Sequence, residues 1–328
     1  MWRPDSQLSA VRDPIKMTEP YEYSLTRYLA AKKSVDDRAL NRRVLQGLQS
    51  LLLPHLGVPI HVLEVGAGIG TMIERLLDWG VLDCARYTAI DADVTAVCEA
   101  CRRLPHWADH RGYEVTAESS HTMSLRKADR EILVTFEAAR ISDFVARQRG
   151  CRTWDLMLAN AFFDLVDLPS TVPDLLALLR PHGLLYFTIN FDGLTILEPE
   201  IDPDLDARIA TLYHENMDRR IVSEEPAGHS RTGRRLLTQL RACGADLLDA
   251  GGSDWIVFAG PDGYPGDEAY FLHHILHMIS TALRGHPALD ATCFNQWVAE
   301  RHNQVEKGTL IYMTHQIDVL GRMPCPSG

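Results

Sequence analysis

The stretch 61–70 constrains this chain more than any other: the apolar run 61–65 leads straight into Gly66, Gly68 and Gly70, with Glu64 two positions before the first glycine. Glycine weakens a strand and serves where the backbone needs positive φ or must approach another group closely, so three at one strand end have little packing use. Residues 71–79 have helical spacing, and the free N–H groups of their first turn face whatever the glycines enclose. This is a nucleotide-binding turn. The dinucleotide pattern wants its third glycine three residues after the second, at a position that holds Thr71 here, so the spacing is not the nicotinamide one.

Strands and helices then alternate. A second strand, 87–90, ends in Asp91, where an acid can accept both ribose hydroxyls. Asp93 is placed to cap a helix from Val94. A third strand over 132–137 precedes Ala139-Arg140-Ile141-Ser142-Asp143-Phe144, and 110–131 reads as an irregular insertion. A fourth strand, 154–159, leads to a helix at 172–179 ended by Pro181 and Gly183, and a fifth strand covers 184–189. Helices are expected at 205–220, 234–243, 268–283 and 294–305, and strand 255–259 should pair antiparallel with a closing strand, 309–314. The fold class is α/β: a doubly wound, mostly parallel seven-stranded sheet with an antiparallel closing strand, an N-terminal helical lid and two helical insertions, and ligands at the carboxyl ends of the strands. The expected organisation is a loose leader over 1–20, a helical lid over 21–55 and one domain over 56–328, with insertions at about 192–232 and 261–307. Within the lid, the charged stretch 32–38 reads as a turn between two helices, with Ser34 or Asp36 capping the second.

On residues 62–70, 89–93 and 140–145 the chain resembles the class I (Rossmann-like) S-adenosylmethionine-dependent methyltransferases, whose first motif is Glu-x-Gly-x-Gly-x-Gly. The resemblance implies S-adenosyl-L-methionine as cofactor. It implies that Glu64 approaches the methionine ammonium, that Gly66, Ala67, Gly68 and Gly70 line methionine and ribose, and that Asp91 with Ala92 takes the ribose. Asp143 and the Phe144 backbone would meet the adenine, and Asn160 would also lie at the cofactor; Asp143 as a plain helix cap is the alternative. An N-terminal segment closing over the cofactor is common among small-molecule members, which makes Tyr21, Tyr28 and Arg38 lid candidates.

Acceptor residues should follow the fourth and fifth strands and sit in the insertions. The loop Asn160-Ala161-Phe162-Phe163-Asp164 resembles the Asn-Pro-Pro-aromatic loop of amino-group methyltransferases without its prolines. Phe162 and Phe163 would wall an acceptor, together with Tyr28, Asn190, Arg231 and Tyr264. His214, His229 and Asp164 are the candidate bases, because methyl transfer needs one when the acceptor must lose a proton. The reading is methyl transfer by direct displacement to a small aromatic or anionic molecule. Its alternatives are a metal-assisted O-methyltransferase using Asp164, Asn190 and Asp192, or a catalytically silent partner or regulatory protein that keeps the cofactor site.

The formal charge of −11 disfavours a nucleic-acid polymer as substrate. No apolar span is long enough to cross a bilayer, and seven scattered cysteines suit a reducing compartment, so a cytoplasmic protein is expected. No dedicated metal site is expected: Cys98 and Cys101 lack a second ligand pair, and His273, His274 and His277 lie in an apolar helix. The apolar helix faces leave room for a homodimer.

Overall fold

The computed structural model describes residues 22–55, 57–151, 153–222 and 225–325. The expected leader over 1–20 and the lid candidate Tyr21 lie outside the described residues.

A sheet of ten strands forms the centre. Five run parallel in the order β5 (Arg130–Ala138), β2 (Cys84–Asp91), β1 (Ile60–Val65), β6 (Trp154–Asn160) and β7 (Leu179–Glu198). Antiparallel to β7 lies β12 (Ile311–Arg322), which pairs in turn with β10 (Asp246–Gly252) and β11 (Trp255–Val257). At the opposite edge β4 (Thr122–Lys127) and β3 (Glu114–Ala117) extend the sheet, both in antiparallel pairings, while β8 (Ile221–Val222) and β9 (Glu225–Pro226) form a separate antiparallel pair.

Strand periodicity decides which side chains meet which helices. Val62, Leu156 and Leu158 pack with α2 (Arg42–Leu52), α3 (Thr71–Asp78) and α4 (Val94–His110). Their chain neighbours Leu63, Val65, Met157 and Ala159 pack with α5 (Ile141–Gln148), α6 (Leu168–Leu176) and α8 (Thr232–Ala242) on the other face. A third apolar cluster joins α1 (Leu25–Ala39), α7 (Pro203–Asp218), α9 (Glu268–Leu283) and α10 (Ala291–Glu306) to Ile189, Trp255 and Tyr312. The doubly wound architecture and the antiparallel closing strand are therefore as expected. No described helix is long and apolar enough to cross a membrane.

Five expectations need correcting. The stretch 32–38 is not a turn but the second half of α1, because Lys32 pairs with Asp36 and Lys33 with Asp37 one helical turn apart (2.8 and 2.9 Å). Asn41, rather than Ser34 or Asp36, caps α2, its side chain accepting from the Val44 amide. Residues 110–131 are not irregular: they complete α4 and form the β3–β4 pair, held by the buried Met123 and Leu125. The sheet therefore exceeds seven strands, and β10 was missed because its half-exposed residues carry no clean alternation. Finally, β7 and β12 are 20 and 12 residues long and remain paired as far as Glu198 and Ile311. The first insertion thus starts after Glu198, not at 192.

Candidate functional site

A cavity of about 840 Å³, within the range of small-molecule sites, opens at the carboxyl ends of β1, β2, β6 and β7. Its walls include ten of the expected residues: Glu64, Gly66, Ala67, Gly68, Asp91, Ala92, Asn160, Phe162, Asp164 and Tyr28.

At one end the glycine turn is a true cradle. Gly66 and Gly68 have φ of 67° and 54°, and a Cβ on Gly66 would lie 2.5 Å from the Phe162 ring. The Gly68 amide donates to Asp91 Oδ2 (2.7 Å), while Asp91 Oδ1 accepts from the Asp93 amide (2.8 Å), so the acid of β2 braces the turn as well as facing the cavity. Burial pushes the Asp91 carboxyl up, against the pull of those amides. Behind the turn, the buried Glu64 accepts from the Tyr87 hydroxyl (2.7 Å). Burial raises Glu64 to about 8, opposed by Tyr87 and by the charge of Arg75.

The floor is a buried charged network centred on Asp36. Its carboxylate takes Lys32 Nζ (2.8 Å), Trp255 Nε1 (3.0 Å), Asn160 Nδ2 (3.3 Å) and Arg75 Nη2 (3.4 Å). Asn160 Oδ1 accepts in turn from Thr188 Oγ1 (2.8 Å). One side chain of α1 thus ties that helix to β6, α3 and β11. Farther out, Arg27–Asp267 and Arg38–Glu268 ion pairs fasten α1 to the start of α9.

At the other end Asp164, in the single helical turn Phe163–Leu165, has an Oδ1 closed to solvent and without a hydrogen-bond partner. Burial pushes its carboxyl up; its own amide, Lys32 and Arg220 pull it down. Tyr28, Tyr213 and Tyr312, with Phe162, Phe191 and Trp255, supply the aromatic part of the cavity wall. Burial raises all three phenols, so they are neutral donors.

Several expected residues do not reach the cavity wall. Phe163 is fully buried against Phe187, and Phe144 packs near Trp154. Asp143 is exposed in the first turn of α5, whose N-cap is Arg140; residues 139–142 and Val145 face the cavity instead. Gly70 is the N-cap of α3, packed on Phe136. Asn190 is buried and donates to the carbonyls of Phe187 and Ile317. His214 contacts Thr195 Oγ1 (3.0 Å) behind the wall, and His229 pairs with Asp218 (3.2 Å). Arg231 precedes α8, and the Tyr264 hydroxyl donates to Leu310 O (2.7 Å). Asp192 is gripped by Arg234 (2.8 Å), so Asp164, Asn190 and Asp192 do not converge. Among the described residues no group of three His, Cys, Asp or Glu is arranged to hold a metal ion. Sequence reasoning missed Lys32, Trp255 and Tyr312 in the wall, and it offered Tyr213 and Arg220 only as members of the polar stretch 213–220, with a solvent-facing helix as the alternative. None of them lies in a motif.

No family model matches the chain, and no curated protein matches its sequence. Solved structures with a similar course of chain include an S-adenosylmethionine-dependent methyltransferase from Methanosarcina mazei, at 12% identity over 84% of this chain and 98% of that one, TM-score 0.43. Geranyl diphosphate C-methyltransferase from Streptomyces coelicolor A3(2) is similar at 10% identity over 85% and 81%, TM-score 0.39. The [4+2]-cyclase SpnF is similar at 14% identity over 92% and 94%, TM-score 0.39. At these values the likenesses describe the chain's course and nothing of its chemistry.

Proposed function

We propose that this chain is a class I S-adenosylmethionine-dependent methyltransferase acting on a small molecule. One observation carries the reading: a glycine cradle with a carboxyl behind it (Glu64) and another beside it (Asp91) opens into the same cavity as the carboxyl of Asp164. The cradle suits the cofactor by its donor set. Asp91 suits vicinal hydroxyls, and Glu64 suits an ammonium. A Cβ at Gly66 would collide with Phe162, so the turn has no room for a side chain there.

When bound, the cofactor supplies a methyl on a positively charged sulfur, which keeps the carbon–sulfur pair as the acceptor's lone pair forms the new bond. The residues of the chain position the acceptor and receive its proton. Asp164 is the group for that proton, since it lines the cavity and His214 and His229 do not. The aromatic wall, to which α1 contributes Tyr28, offers apolar faces for the acceptor to pack against.

Calorimetric titration with S-adenosylhomocysteine and NAD, in wild type and Asp91→Ala, tests the reading. We expect the adenosyl ligand to bind and to weaken about tenfold or more in the variant, the loss of a charged hydrogen-bond acceptor. Absence of adenosyl binding, or tighter binding of NAD, would overturn it.

A further inference from the structure

The acceptor end of the cavity contains groups that the protein leaves unsatisfied, and they define what should satisfy them. Two cations stand near Asp164. Lys32 is committed to Asp36 at 2.8 Å. Arg220, just past the end of α7, is half-buried in the cavity wall and has no side-chain hydrogen bond or ion pair among the described residues. Its neighbours are already spent: Arg219 pairs with Glu215 and Arg234 with Asp192. The chain holds Arg220 over the site through the segment that follows it. The Ala227 amide donates to Arg220 O (2.9 Å), and the Gly228 amide donates to Val166 O (3.1 Å). Gly228, with φ of 90°, sits so close to the Asp164 carbonyl that a Cβ would meet its oxygen at 2.1 Å. Arg220, Asp164 and Tyr213 are consequently electrostatic neighbours.

An unpaired guanidinium in a half-buried wall is costly unless a ligand completes it. One guanidinium matches one carboxylate through two parallel hydrogen bonds, whereas a phosphate or diphosphate calls for more positive charge than this end offers. Six aromatic side chains in the wall favour a flat ring, which they can stack on or meet edge-on. The hydroxyls of Tyr28, Tyr213 and Tyr312 have no hydrogen-bond partner among the described residues either, and they can donate to an anionic group.

We propose that the acceptor is an aromatic acid: a planar ring held by the aromatic wall, a carboxylate held by Arg220 with help from the tyrosine hydroxyls, and a hydroxyl or amino group presented to Asp164. The proposal rests on the methyl-transfer reading and names its substrate class. Arg220 is a binding residue in it, and Asp164 receives the proton.

The test is calorimetry on the full chain saturated with S-adenosylhomocysteine, using 4-hydroxybenzoate and anthranilate as probes beside their methyl esters and amides. The acids should bind at least about tenfold tighter than the esters. Arg220→Gln should remove that preference while leaving the melting temperature and the S-adenosylhomocysteine affinity unchanged, and Arg220→Lys should restore part of it. Equal affinity for acids and esters, an acid preference that survives Arg220→Gln, or no binding of either acid by a protein that does bind S-adenosylhomocysteine would each overturn the proposal alone. A protein that fails to bind S-adenosylhomocysteine overturns the methyl-transfer reading, and this proposal with it.

Discussion

The two ends of the cavity are built by opposite rules. The turn end is local: Glu64, Gly66 and Gly68 share one strand end, and the brace they need, Asp91, lies 23 residues beyond Gly68 at the tip of the adjacent strand. The acceptor end is assembled from distant elements, with Tyr28 on α1, Asp164 after β6, Phe191 on β7, Tyr213 on α7, Trp255 on β11 and Tyr312 on β12. A local site can be written as a motif, because backbone conformation and strand order alone bring its parts together. A distributed site depends on how helices pack over the sheet, and substitutions can retune it without disturbing the cradle.

Asp36 is where the two ends meet, and its removal should have the largest effect. Asp36→Ala strands Lys32 and Arg75 and releases Trp255 and Asn160, so we expect a loss of about 3–5 kcal/mol in stability, the cost of breaking a buried charge network on one side. Urea unfolding reads it. A loss below about 1 kcal/mol would mean that the ends are independent and that α1 does not need its anchor. Asp164→Asn should separate the ends. With an acceptor that the protein methylates, turnover should fall about a hundredfold or more while S-adenosylhomocysteine affinity stays within a factor of two or so. Equal damage to both would relocate Asp164 from the acceptor's proton to the architecture of the cradle.

The same contrast explains what the sequence made legible. The parallel strands announced themselves by apolar runs ending in Gly66 or Asp91, and Asp93 caps α4 as expected. The carboxyl-end location of the site followed from strand alternation alone. Charged residues misled where their partners are distant in sequence though adjacent in space. Lys32 to Arg38 looked like a solvated turn, yet Lys32 and Asp36 are 6% and 1% exposed, because Arg75, Trp255 and Asn160 close around them from other elements. His214 and His229 looked like bases because polar residues cluster around them in the chain. The fold turns His214 toward Thr195 and His229 toward Asp218, and it brings Arg220 to the wall instead. Sequence proximity within an insertion does not reveal which side of its helix faces the sheet. For α7 that side is set by packing against α9 and β7, not by any signal within 203–218.

The smallest expected effect is a pH slope, and it sharpens the turn end specifically. Folding raises Glu64 from 4.5 to about 8, so over that interval the folded chain holds a proton that the unfolded chain has lost. Stability from this group is fully present below the lower value, falls as pH rises through the interval, and levels off above the upper one. Glu64→Gln keeps an acceptor for Tyr87 and should flatten the decline in a series of urea titrations. A ligand ammonium placed against Glu64 would favour the ionised carboxylate, so binding must expel the proton. Affinity for S-adenosylhomocysteine should then rise toward pH 8 by at most about tenfold per pH unit. Calorimetry in buffers of different ionisation heat should detect the released proton in wild type and none in Glu64→Gln. If the variant still releases it, the proton belongs to Asp91, which burial also raises, and the ammonium lies on the ribose side of the cradle rather than behind it.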